Sequence, residues 1–487
     1  MTILSRQAAT GEFGAAVLIG IWAAVLSLAP SPGLKLVIVG AGLVLPLLWW
    51  SVLNPQLWLK CFFATAVLLP PLPVLIGERS PHLSLFWALL GIFIGVLRFR
   101  PSRSWPAGLS AGFVAFTAAL LVSLIPAAIY SGPDIASASF ARILLFSIGP
   151  YVLFYTLNAE EHSDPRYNLR FACLLFGISV AAALFACLDF YFQFPAPGGY
   201  GPQFVWLAEG VFRRAQGLFY EASTLGNFCA FFLVMIAVSL FRPRSERPCS
   251  ISWLIAGGTI LGTALIFSYS RASLLNLLVS VCVLACLNVP KARRKVLILV
   301  AGAAASAVLA DLIFPSFVES YWTRLTGSVQ YFWSAPEGVL SGRVASWRTL
   351  TEFIAGEPWN AFFGVGYKTL PYSNYVGSTV IGDNTYLTLF IETGFLGLLS
   401  FVFLNIQILR HALRAARAPR PQAQFFGMWI FCFWIGELVQ MLSGDLITYW
   451  RVLPIYFWTL AVAIKESSGY STELDRRQSE VSILTPR

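Results

Sequence analysis

Apolar runs long enough to cross a bilayer recur along this chain, at roughly 13–29, 34–50, 57–76, 82–97, 107–130, 138–157, 168–194, 218–241, 251–268, 271–289, 295–314, 384–409, 423–443 and 447–465. A bilayer core takes about 20 apolar residues per helix. The pattern therefore predicts an all-α polytopic membrane protein with about 12–14 transmembrane helices. Pro46, Pro70, Pro71 and Pro73 interrupt the early runs and make the count there the least defined. One stretch breaks the pattern: 315–382 is mostly polar and aromatic. Inside it, Ser341-Gly342-Arg343 opens a helical period with Trp347, Leu350 and Ile354 on one stripe. Glu357-Pro358 and Gly364-Val365-Gly366 close it. The expected layout is an N-terminal transmembrane region (1–314), a large loop with short helices (315–382), a C-terminal transmembrane region (383–465) and a polar, disordered tail (466–487).

Composition agrees. Of 487 residues, 57% are hydrophobic and 11% charged, with mean hydropathy +0.72, against about 25% charged in a soluble domain. The first apolar run starts near Phe13 behind a single Arg6, without a small-residue cleavage site, and reads as a retained helix. A net charge of +10 raises the question of nucleic acid. The basic residues instead sit in short loops between spans: Arg98, Arg100 and Arg103; Arg242, Arg244 and Arg247; Lys291, Arg293, Arg294 and Lys295; Arg410, Arg414, Arg417 and Arg420. All fall on one face, read as cytoplasmic, with both termini there. The opposite face receives 131–137, 195–217, 269–271, 315–382 and 443–446. Seven of the eight cysteines lie in apolar runs and read as packing residues. With no CxxC and three scattered histidines, no metal and no cofactor are expected.

The chemistry gathers on that second face. Arg324, Arg343, Arg348 and Lys368 occupy the long loop, although cations usually stay inside. Arg213-Arg214 precede Gly217-Leu218-Phe219-Tyr220-Glu221; Tyr269-Ser270-Arg271 makes a tight turn; Asp383-Asn384 stand before Thr385-Tyr386-Leu387. Guanidinium groups pair with phosphate oxygens through planar bidentate contacts, and several around one diphosphate would offset charge developing as it leaves. Plainer roles compete. Arg271 can snorkel; Arg213 and Arg214 can be a solvated pair; Glu221 can neutralise an arginine; Arg348 and Trp347 can decorate or pack the loop helix; Asp383 or Asn384 can cap the next helix. Tyr321, Trp322, Tyr331, Trp333 and Tyr367 read equally as a sugar-binding groove or an interfacial belt. A transporter would need charged residues buried near the midplane; Arg142, Asp189, Glu392, Glu437 and Arg451 are the few inside spans, and most lie near span ends.

Taken in order, Arg214-x-x-Gly217-Leu218-Phe219-x-Glu221, Ser270-Arg271-Ala272, Gly342-Arg343-x-x-x-Trp347, Phe363-Gly364-Val365-Gly366-Tyr367 and Asp383-Asn384-x-Tyr386-Leu387-x-x-x-x-Glu392-Thr393-Gly394-x-x-Gly397 resemble the O-antigen polymerase and ligase superfamily. The resemblance implies a GT-C-like glycosyltransferase of the bacterial inner membrane, with the long loop in the periplasm. Such an enzyme takes a glycan from undecaprenyl pyrophosphate without a metal. Arg214, Arg271 and Arg343 would grip the pyrophosphate, with Arg213 and Arg348 as second choices. Asp383 would be the base, and Glu221, Asn384, Tyr386 and Trp347 would line the substrate. Ligases of the superfamily carry a histidine where this chain has Asp383, and Phe219-Tyr220-Glu221 looks more like capsular and exopolysaccharide polymerases. The resemblance therefore implies polymerisation of lipid-linked repeats, with a flippase and a chain-length regulator as partners. Ligation to lipid A-core is the first alternative, and transport of a small anion or lipid-linked sugar the second.

Overall fold

The computed structural model describes residues 49–72, 81–98, 105–159, 164–196, 203–207, 210–287, 304–313, 315–331, 343–377 and 379–484, with a few isolated positions besides. The span expected at 13–29, nearly all of that at 34–50, the basic cluster 291–295, Trp333 and Ser341-Gly342 lie outside the described residues. From residue 57 onward each expected span has a helix in its place. These are α1 (Leu57–Leu68), α2 (Leu83–Leu97), α3 (Ala107–Val122) with α4 (Leu124–Ser131), α5 (Pro133–Asn158), α6 (Tyr167–Phe192), α7 (Ala222–Leu240), α8 (Ile251–Phe267), α9 (Arg271–Leu287) and α10 (Ala304–Ile313). After the loop come α14 (Thr385–Ala416), α15 (Pro421–Gln440) and α16 (Leu453–Leu484). The long loop itself carries α11 (Pro315–Gln330), α12 (Arg343–Gly356) and the short α13 (Asn360–Phe363). Among the described residues six helices are long and apolar enough to cross a membrane, and five shorter ones are apolar. The chain is an all-α polytopic membrane protein. One small departure is a two-stranded antiparallel hairpin, β1 (Phe204–Leu207) with β2 (Gly210–Arg213). The backbone of α16 stays helical past Lys465, into the segment that composition reads as disordered.

The chain divides into two compact units, one from residues 1–62 and 84–99, the other from 63–83 and 100–487. In the first, Gly91 of α2 lies against the buried Trp58 ring, where any Cβ would come within 2.5 Å. The second is a helix bundle. α15 packs on α9, α14 and α16; α16 on α5; α14 on α3; and α8 on α6 and α7. The centre is α7, whose apolar window is 89% buried, against 33% for Ala107–Ser131 at the periphery. Small residues let it sit there: a side chain at Gly226 would strike Ser268 and Ser273 within 2.8 Å.

Hydrogen bonds between loops group the connecting segments into two sets. On one side the guanidinium of Arg242 bonds Gln424, Arg166 donates to the Ser245 carbonyl at 3.2 Å, and Lys465 donates to the Ala159 carbonyl at 2.6 Å. On the other, the segments around 131–139, 203–223, 268–273, 320, 367–375 and 443–449 touch one another; this is called the loop face below. Cys173, read as a packing residue, is joined instead to Cys249, with Cα atoms 5.8 Å apart.

Candidate functional site on the loop face

Asp383 is one of the few non-glycine residues with positive φ (42°) among the described residues, at the point where the loop turns into α14. Asn384 is the helix cap: its Oδ1 accepts the backbone N–H groups of Tyr386 and Leu387, each at 3.1 Å. With the cap role filled by Asn384, the Asp383 carboxylate is turned elsewhere. Arg343, first residue of α12, donates from Nε to Asp383 Oδ2 at 3.0 Å, and the Asp383 side chain remains 40% exposed. Trp347, one turn along α12, donates from Nε1 to the Gly382 carbonyl at 2.7 Å. So α12 is fastened beside Asp383 by two side chains, and Trp347 serves as a structural clasp. Arg348 points outward and is exposed. Tyr386 donates to the Leu438 carbonyl at 2.9 Å, which ties α14 to α15.

A second group forms where β2 meets α7. Arg214 donates from Nε to the Ser268 carbonyl at 2.9 Å, two residues before Ser270-Arg271. Ser270 Oγ lies 2.8 Å from Ser273 Oγ, and Ser273 Oγ reaches the Ser223 carbonyl at 3.5 Å. Ser223 in turn donates to Glu221 Oε2 at 2.9 Å. These links bring Arg214, Arg271 and Glu221 to one corner. Arg213 behaves differently. It is buried, its Nη2 bonded to Asp189 Oδ1 at 2.6 Å and to the Phe194 carbonyl at 2.7 Å. The pair read from the sequence as two ligand cations is one structural arginine and one near the site.

The segment between α15 and α16 joins the two groups. Thr385 Oγ1 donates to the Gly444 carbonyl at 2.7 Å, and Asp445 pairs with Lys368. Lys368 is almost fully enclosed and has positive φ (57°). Burial pushes its ammonium down to about 8; Arg142 adds to the fall, while Glu392, Glu221 and Asp383 oppose it. Those influences place Lys368 within electrostatic reach of both groups. Sequence reading noted Lys368 only as a loop cation and did not single out Asp445; the signal available was an Asp flanked by an apolar span and a Gly444 turn.

The glycine motifs serve backbone contact. Val365 N–H bonds the Ile391 carbonyl at 3.0 Å and Gly366 N–H the Glu392 carbonyl at 2.9 Å. A Cβ on Gly364 would lie 2.3 Å from the Glu392 oxygen, and one on Gly394 2.2 Å from the Phe362 oxygen, both at positive φ. Only glycine lets these two chains touch. Among the sugar-groove candidates, Tyr367 is buried and Tyr321 nearly so, packed against Tyr269; Trp322 and Tyr331 are exposed.

Four of the five charged residues singled out inside spans have hydrogen-bond partners; the fifth, Glu392, is fully buried with neither carboxylate oxygen hydrogen-bonded. Arg142 donates to the Lys368 carbonyl at 3.0 Å and stacks on Tyr372; Arg451 donates to the Ala66 and Leu69 carbonyls at 2.6 and 3.0 Å. Glu437 accepts Asn227 and Asn276 amides on one oxygen at 2.5 and 3.0 Å. Gln440 accepts the same two amides, and Tyr456 donates to Asn227 at 2.6 Å. The two asparagines in apolar runs were the sequence signal for this network, and it was missed.

These features define a polytopic helical membrane protein whose loop face carries a candidate site around the Arg343–Asp383 pair. Residues 255–402 match the family described as O-antigen ligase, which supports membership of the O-antigen polymerase and ligase superfamily. The matched stretch contains Arg271, Arg343, Trp347, Asp383, Asn384 and Tyr386, and leaves out Arg213, Arg214 and Glu221. No curated protein matches the chain.

Proposed function

We propose that the protein is a polysaccharide polymerase that joins oligosaccharide repeat units carried on undecaprenyl pyrophosphate, at the periplasmic face of a bacterial inner membrane. The carrying observation is the Arg343–Asp383 pair, with one carboxylate oxygen engaged and the side chain open to solvent, inside a stretch matching the O-antigen ligase family. In this reading Asp383 takes the proton of the acceptor hydroxyl as its oxygen attacks the anomeric carbon. The bond to the pyrophosphate oxygen breaks, and the electron pair leaves with the lipid pyrophosphate. The anomeric centre inverts. Arg343, Arg271 and Arg214 offset the negative charge on the leaving group, and Glu221 orients an arginine or the acceptor. A flippase would supply the substrate, and a chain-length regulator would limit the product.

The description of the matched family favours a second reading, ligation of the glycan to lipid A-core. Asp383, where such ligases carry histidine, supports polymerisation instead. The transport reading loses support because Arg142, Asp189, Glu437 and Arg451 are each engaged within the protein, which leaves Glu392 as the one of the five without a hydrogen bond. Purified protein in liposomes with lipid-linked repeat and lipid A-core separates the three. A ladder of longer lipid-linked oligomers is expected. Glycan on lipid A-core alone establishes the ligase, and uptake of unchanged repeat establishes a carrier.

A further inference from the structure

The hairpin between α6 and α7 exposes an apolar face. Its register pairs Phe204 with Arg213, Val205 with Phe212 and Trp206 with Val211. Side chains alternate along a strand and paired residues lie on the same side, so Phe204, Trp206, Val211 and Arg213 share one face. The first three are 48%, 73% and 57% exposed, while Arg213 turns in to Asp189. Val205, on the opposite face, is buried, and Phe212 beside it lies 6.1 Å from the ring of Phe190. The hairpin is not free to turn over. Arg213 is bonded to Asp189 near the end of α6, and Gln193 exchanges two hydrogen bonds with the Arg213 backbone, at 2.8 and 3.2 Å.

What covers this face follows from what it continues. α6 is a membrane-spanning helix of mean hydropathy 2.5. Its exposed residues Leu184, Leu188 and Phe192 form an i, i+4 row that runs to the hairpin, and Phe194 stacks on Phe192 there. That row is lipid-facing by the nature of the span, and the hairpin is held at the end of the same helix through Phe190, Asp189 and Gln193. Tryptophan and phenylalanine at this depth are at home between acyl chains and headgroups.

We propose that Phe204, Trp206 and Val211 insert into the leaflet on the loop face, with phospholipid acyl chains as their partner, and that this insertion sets Arg214 at headgroup depth. Arg214 is the residue directly after β2, so the depth of the hairpin is the depth of that arginine. A phosphate carried on a membrane lipid would meet it without leaving the leaflet. The proposal is independent of whether the enzyme polymerises or ligates.

The test is photocrosslinking in native membranes. Benzoylphenylalanine replaces Trp206, with Phe204 as a second position in case one variant fails to accumulate. Leu188 serves as the lipid-facing reference, and exposed Glu352 on α12 as the aqueous one. Phospholipid adducts are expected by mass spectrometry at Trp206 and Phe204 in yield comparable to Leu188, and none at Glu352. Adducts at Leu188 without any at Trp206 and Phe204, or crosslinks from the hairpin to another polypeptide in their place, overturn the proposal.

Discussion

Two polar regions of this protein lie only a few residues apart along α14 and α15 and obey opposite rules. Around Glu437 in the interior, Asn227, Asn276, Gln440 and Tyr456 are each almost wholly buried and donate or accept within the group. Around Asp383 the residues are partly open, and the arginines contact backbone or one carboxylate oxygen. A buried polar group without a partner is costly, so an interior network must be closed among its own members. A group that is to receive a ligand must keep part of its bonding capacity open. The same contrast separates the adjacent Arg213 and Arg214. Arg213 spends its guanidinium on Asp189, and Arg214 keeps its position at the rim.

The sharpest way to break the comparison is at Asp383. Asp383→Asn keeps the shape and removes the proton acceptor, and should slow glycan transfer about 100- to 10,000-fold, read as loss of the oligomer ladder at unchanged protein yield. Normal polymer from this variant would exclude Asp383 from the chemistry. On the interior side, Glu437→Leu leaves one N–H of each of two buried amides unpaired, the other staying on Gln440, and should cost about 3 kcal/mol of stability, measured as a lower unfolding midpoint in detergent. A neutral outcome there would mean that the network is not closed.

Lys368 sharpens the boundary between the two regions. Folded Lys368 releases its proton near pH 8, whereas an unfolded lysine holds it to about 10.4. Between those values the unfolded chain binds more protons, so stability rises with pH across that window. The gain is on the order of 3 kcal/mol, fully developed only above the unfolded value. Lys368→Met should remove it, leaving the variant's unfolding curve flatter than that of the native protein from pH 8 to 10. Arg213→Ala and Arg214→Ala should part company in kind: the first lowers the amount of folded protein, the second raises the concentration of lipid-linked donor needed. The smallest effect is expected from Asn384→Ala, a lost helix cap worth about 1 kcal/mol, visible in thermal melting.

Much of this was legible beforehand. The spans from residue 57 onward, the break at 315–382 and the helix opening at Arg343 with Trp347 on its stripe follow from apolar periodicity and from Gly and Pro punctuation. The hairpin was hidden, because Pro195–Gly217 reads as turn-rich and its strands are four residues each. The roles of Gly364 and Gly394 were visible only as a motif, since their reason is contact between segments about thirty residues apart.

The amino-acid order alone determined what the bilayer enforces: long apolar helices, and a polar, aromatic stretch between them. Those are consequences of solvent, which acts on each segment independently. Which arginine is structural, which carboxylate is open and which asparagines share a glutamate depended on side chains from distant segments meeting. Only tertiary packing brings Arg213 to Asp189, Arg343 to Asp383 and Lys368 to Asp445, because whether a charge is free or spent is decided by its neighbours in space.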